Sequence, residues 1–284
     1  MKEYIFLLVA SGLFSLQFLF NRNFQRKNGT GIEAVALFTV STSFTGFLLL
    51  CAINGFHLEF TLFSFLIALI YSCVNITFNY ASIKAIATVN LGVYSLFSML
   101  GGMLLPFLYG LIFNQESITF PKILCSLLIV FATFFTVADL KNTNKKAIPY
   151  YILVFALNGA VGVLSSIHQN ATVAHVDSSS FIAISKLLNV AICGSWILCR
   201  NPRLLRISIP SFFLATGYSA FNSVGNLLVM EALLVLPASV QYPMITGATM
   251  IFSAVISLLM KEKFTLRNGL CVAIALIATI FIAS

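Results

Sequence analysis

Three polar side chains, Tyr71, Asn75 and Asn79, recur at four-residue intervals inside an otherwise apolar stretch. At 100° per residue they stay within about 80° of one another on a helix, filling one face about 12 Å long. Ser82 falls on the same face, and Tyr218, Asn222 and Asn226 repeat the pattern further along. Phenols and carboxamides donate and accept hydrogen bonds without carrying charge. Two such faces turned toward each other make a neutral cavity for a small polar solute. The same groups also serve as hydrogen-bonding glue between membrane helices. Polar rows at membrane depth are costly, which favours a pathway.

Around these rows stand Tyr94, Ser95 and Ser98 in one apolar stretch and Gln241, Tyr242, Thr246 and Thr249 in another. They offer a second part of the lining or, equally, packing. Lys186 lies several residues inside an apolar stretch, where a cation is expensive and is by default a functional candidate for an anionic group or a titration. Lys84 and Glu231, at the ends of two stretches, are candidates for gating or coupling, with snorkelling as the plain alternative. His168 and His175 flank the end of a span, where a loop role is expected. The three His and eight acidic residues form no paired Asp, Ser/His or Glu/His set, so no enzyme, metal or cofactor is expected. The six Cys fall within or at the ends of apolar stretches, without a CxxC pair, and read as small packing residues.

The elements that must hold these side chains follow from composition. Of the 284 residues, 60% are hydrophobic and only 8% charged; a soluble domain carries roughly 25% charged residues. Mean hydropathy is +1.00. The bilayer is therefore the expected solvent, and helices of about 20 residues the expected spans, because lipid leaves backbone groups unsatisfied otherwise. Ten spans are expected: 4–22, 32–53, 62–83, 90–113, 121–138, 149–169, 179–199, 208–231, 237–260 and 267–283. The polar run Asp139 to Lys146 reads as a linker between halves. The first span resembles a signal peptide superficially, but it has a counterpart later in the chain and no cleavage pattern.

That counterpart belongs to an internal duplication at an offset of 147 residues. Tyr4 meets Tyr151, Ala68 meets Ala215, and Tyr71-Ser72-x-x-Asn75-x-x-x-Asn79 meets Tyr218-Ser219-x-x-Asn222-x-x-x-Asn226. After a one-residue deletion, Glu116-x-x-Thr119 meets Glu262-x-x-Thr265. Residues 1–140 and 141–284 then form two five-helix repeats. An odd number of spans makes the second repeat enter the membrane from the opposite side, as in transporters whose halves rock about a midplane site.

The net charge of +8 is not a nucleic-acid signal, because thirteen of the 16 Lys and Arg fall in odd-numbered connections. Only Lys2, Lys122 and Lys186 lie elsewhere. By the positive-inside rule this puts both termini outside the cytoplasm.

Glu116-Ser117-Ile118-Thr119, Glu262-Lys263-Phe264-Thr265 and Ala232-x4-Pro237-Ala238-Ser239 resemble motifs of the drug/metabolite transporter superfamily, EamA type. The resemblance covers essentially the whole chain. It implies an all-α integral membrane fold of ten helices, with a substrate cavity lined mainly by spans three, four, eight and nine. It also implies a multi-pass protein of a bacterial plasma membrane, with termini in the cytoplasm, against the loop charges. Leu13-Phe14-Ser15 stands where that family has a tryptophan-glycine pair, and the acidic residue of small multidrug relatives is absent. The expectation is a secondary transporter of a small polar metabolite such as an amino acid, working by alternating access as monomer or homodimer, with or without a coupling ion. Multidrug or organic-cation efflux and lipid handling are the alternatives.

Overall fold

The computed structural model describes residues 2–88, 91–117, 119–137, 147–200 and 207–260, with 269, 270, 273, 274 and 277. Among the described residues lie nine α-helices and no strand: α1 (Lys2–Asn28), α2 (Ile32–Ile53), α3 (Leu62–Ile86), α4 (Leu91–Ile112), α5 (Phe120–Val137), α6 (Ile148–Gln169), α7 (Ser178–Arg200), α8 (Ile209–Leu233) and α9 (Ala238–Leu259). Six of these (α1, α2, α3, α6, α7 and α9) are long and apolar enough to cross a membrane. The expected linker from Asp139 to Lys146 lies outside the described residues, as do most of the expected tenth span and the motif at Glu262–Thr265.

One boundary differs from expectation. The first helix does not end at residue 22 but continues to Asn28, so Arg22, Arg26 and Lys27 sit on helix rather than in a connection. Nothing in Asn23–Asn28 breaks a helix, and termination waits for Gly29, whose φ of +81° is left-handed.

The helix starts follow from short polar side chains. Thr61 caps α3, its hydroxyl accepting from the Ser64 amide at 3.2 Å. Its counterpart Ser208 precedes α8, with its Oγ 2.8 Å from that of Ser211. Asp177 caps α7, one carboxylate oxygen accepting from the Ser179 amide at 3.0 Å and the Ser180 amide at 3.2 Å. Glu116 does the same from a distance in sequence: its two oxygens each accept at 3.0 Å from the amides of Ala238 and Ser239, the first turn of α9.

Burial is inverted relative to a soluble globule. Phe56, Phe60, Phe120, Phe213 and Leu259 are exposed, whereas Ser11, Ser15, Ser72, Ser180, Ser219 and Thr249 are buried. With apolar residues outward and hydroxyls inward, association has little hydrophobic drive and depends on close packing and interhelical hydrogen bonds. Small residues supply the close packing. A Cβ on Gly101 of α4 would stand 1.9 Å from the Phe155 carbonyl oxygen of α6, and one on Gly159 would stand 2.6 Å from the Gly101 carbonyl. The four small clusters of apolar core each draw on both halves of the sequence, for example Leu7 and Phe14 with Val229 and Tyr242.

The halves are therefore interleaved. In the main, α1 packs on α8 and α9, α2 on α7 and α8, α3 on α6 and α7, and α4 on α6 and α9. Exchanging each helix with its counterpart five places along maps this set onto itself. Individual hydrogen bonds follow the same rule. Ser11 donates to the Ile245 carbonyl, and Asn158 to the Ser98 carbonyl, at counterpart positions. Tyr94 bonds Ser82, and Gln241 donates to the carbonyl of Val229, the counterpart of residue 82. Thr246 donates at 3.2 Å to the carbonyl of Met99, its own counterpart 147 residues away.

Candidate functional site

Beside that Thr246–Met99 contact lies a cavity of about 90 Å³. It is lined from α1, α3, α4, α6, α8 and α9. Asn75 and Asn222 sit near the middle of their 25-residue helices, so about 16–20 Å of helix separates them from either end. On one side stand Tyr71 and Asn75, on another Tyr218, Asn222 and Asn226, with Tyr242 between α9 and α6. The phenol of Tyr71 interacts with Ser165 and Asn75, and that of Tyr242 donates to the Gly162 carbonyl at 3.0 Å. Apolar walls come from Phe14, Phe18 and Phe78. The arrangement offers many neutral donors and acceptors inside an apolar shell, which suits reversible binding of a small polar molecule.

Six of the nine residues expected to bind substrate therefore line one cavity: Tyr71, Asn75, Tyr218, Asn222, Asn226 and Tyr242. Three are turned to other work. Asn79 donates to Thr39 of α2 at 3.2 Å, Tyr94 is held against Ser82, and Gln241 is spent on the Val229 carbonyl. The two rows thus differ although their sequences match: Asn226 reaches the cavity, while its counterpart Asn79 braces a neighbouring helix.

The charged candidates separate more sharply. Lys84 lies with its ammonium 5.7 Å from the centroid of the Tyr80 ring, Glu231 is exposed, and neither lines the cavity. Lys186 is buried, and its ammonium donates to Asn222 Oδ1 at 2.9 Å. The far end of that carboxamide donates to Gln17 Oε1 at 2.8 Å. A Cβ on Gly46 of α2 would stand 2.6 Å from Ser223 Oγ and 2.8 Å from Ser219 Oγ, so the glycine leaves room for the serine hydroxyls of α8 beside the lysine stem.

Gln17 and Asn158 line the cavity without having been singled out in the sequence. Neither belongs to a four-residue polar row, and Asn158 is paired by the expected duplication with Ser11, so the repeat hides rather than flags it. His168 departs from a loop role: it is fully buried in the last turn of α6, its Nε2 2.9 Å from Ser64 Oγ, with its ring stacked 3.9 Å from Phe181. Cys51 and Cys193 are buried as packing residues, but Cys73 and Cys199 are exposed on the outer helix faces. No group of three His, Cys, Asp or Glu among the described residues is placed to hold a metal ion.

No family model matches the chain, and no curated protein matches it. Solved structures do: one described only as the crystal structure of a protein superposes with a TM-score of 0.69 over 99% of this chain and 96% of that chain, at 12% identity. The likeness at that identity is one of fold. The chain has an all-helical fold shared with a solved structure over nearly its whole length, with several long apolar helices compatible with a multi-pass membrane protein.

Proposed function

We propose that this protein is a secondary transporter of a small polar metabolite, such as an amino acid or related solute, in the drug/metabolite transporter superfamily. Its ten helices are read as two five-helix inverted repeats, and it resides in a bacterial plasma membrane. The observation that carries the proposal is the polar cavity beside the Thr246–Met99 contact, where counterpart positions of the two halves touch. A site on a pseudo-twofold axis in the plane of the membrane can be exposed to either side by rocking one half against the other.

Three further features support it. Tyr71, Asn75, Ser98 and Met99 line the cavity together with their counterparts Tyr218, Asn222, Ile245 and Thr246. Around the cavity the hydrogen bonds across the halves, Asn158 to the Ser98 carbonyl and Thr246 to the Met99 carbonyl, come from single neutral side chains and can be exchanged at small cost, about 0.6 kcal/mol each on average in a membrane protein. The volume of about 90 Å³ falls below the 300–1,000 Å³ of sites for drug-sized ligands.

The test is a thermal-shift screen of the detergent-solubilised protein against small metabolites, comparing wild type with the double variant Asn75→Ala/Asn222→Ala. A solute that raises the wild-type midpoint and leaves the double variant unmoved is the expected result. Equal stabilisation of both proteins would return the asparagines to helix packing.

A further inference from the structure

Lys186 is the ninth residue of α7, roughly 12 Å from the helix start, and is buried. Among the described residues no carboxylate pairs with it, and no Asp or Glu lines the cavity it adjoins. A cation at that depth without a counter-ion is held at a cost unless something in its functional cycle compensates it.

The geometry indicates what compensates it. An ammonium has donors only, so Lys186 fixes the amide of Asn222 with its oxygen outward to the lysine. The Asn222 NH₂ must then face the other way, and it donates to Gln17 Oε1. Gln17 in turn is left with its NH₂ as the free end of the chain. Both amides line the cavity. Three linked side chains are thus polarised in one direction, with a positive charge at the back and N–H donors at the front. Such a row favours negative charge in the cavity and disfavours positive charge.

We infer that the Lys186–Asn222–Gln17 chain is a subsite for the carboxylate of the transported solute, with Lys186 as a positioning and field-setting residue one side chain behind the contact. The inference rests on the transport reading above and narrows it from polar solutes to carboxylate-bearing ones. A phosphate or sulfate dianion fits the site less well, since no Arg or Lys lines the cavity to meet its charge directly and Lys186 acts only through Asn222. Organic cations are rejected by the same field. Gly46 stands beside this row, where a Cβ would crowd the hydroxyls of Ser219 and Ser223 of α8.

The experiment uses the full chain in detergent and in proteoliposomes, with probes matched in skeleton and differing in charge. Lactate, lactamide and 1-amino-2-propanol form one set. The L-amino acids, each with its amide and its decarboxylated amine, form the rest. Wild type is expected to bind at least one carboxylate about tenfold or more tightly than its amide and amine. In Lys186→Met and Lys186→Gln the ratio of carboxylate to amide affinity is expected to fall about tenfold, with an unchanged or higher thermal midpoint in the absence of solute. Folding failure cannot produce that pattern, because the preference is a ratio measured on one protein.

Binding and Asn222-dependent uptake of amides or amines in preference to carboxylates would overturn the carboxylate assignment and leave the transport reading standing. A carboxylate preference that survives in both Lys186 variants would overturn the role of Lys186. Binding of no probe by the wild type would overturn the carboxylate assignment together with the small-metabolite reading beneath it.

Discussion

At the scale of single residues, the cavity is built from groups whose partners decide their use. Asn75 and Asn79 are one helical turn apart with the same chemistry, yet only Asn75 lines the cavity, because Thr39 of α2 stands within reach of Asn79. The spacing of Tyr71, Asn75 and Asn79 made a polar helix face legible in the sequence. Which members turn toward the cavity was not, since that depends on the neighbour met at each level. Lys186 was legible as a costly residue, but its union with Asn222 and Gln17 joins α7, α8 and α1 and has no signature along the chain. Asp177 gives a residue-scale prediction. Its carboxyl, although raised by partial burial, is held below its ordinary value of 3.8 by the hydroxyls and amides of Ser179 and Ser180. A carboxyl lowered on folding stabilises the fold fully above its unfolded value and loses that contribution as pH falls through the folded one. Asp177→Ala should therefore lower stability by about 1 kcal/mol at pH 7. The difference from wild type should shrink as pH falls below about 4. Thermal melts of both proteins between pH 7 and pH 3 check this, and a difference that grows with acidity contradicts it.

Elements are set by caps and by small residues. Glu116 reaches the first turn of α9 from the segment before α5, fastening two parts of the chain that the sequence separates by more than a hundred residues. The motif was visible in the sequence, but its mechanical role was not, because a helix start and a remote carboxylate carry no shared periodicity. Glu116→Ala should lower the thermal midpoint by an amount corresponding to about 1.5–3 kcal/mol, the worth of a charge-assisted bond. Glu116→Gln, which keeps one acceptor but no charge, should lose less than Glu116→Ala; a Gln variant as stable as wild type would show that the charge is not what the helix start uses. Gly101 and Gly159 set the separation of α4 and α6. Gly101→Ala should destabilise strongly or prevent folding, because its Cβ would meet a backbone carbonyl at 1.9 Å. Gly194→Ala, with nothing within 4 Å of the added Cβ, should be neutral or slightly stabilising. Yields of monodisperse protein in detergent measure both, and normal yield of Gly101→Ala would contradict the packing described.

For the whole molecule, membrane character was legible from composition, since no arrangement of so few charged residues covers a soluble surface. The proposed duplication rests on Tyr, Asn, Glu and Thr rather than on apolar residues, which is what lets a sequence suggest a register at all. The interleaving of the halves was not legible. The offset says which positions are equivalent, whereas contacts such as Ser11–Ile245 and Asn158–Ser98 say which positions meet.

The central claim is that the cavity opens to each side of the membrane in turn. Asn226→Cys, placed in a variant whose six native Cys are replaced by Ser, tests it in oriented proteoliposomes with a membrane-impermeant maleimide. Alternating access predicts that the thiol is modified from the outside and, in separate vesicles, from the lumen, with saturating solute slowing both reactions. Modification from one side alone, with the other face inert under every solute condition, would contradict the account.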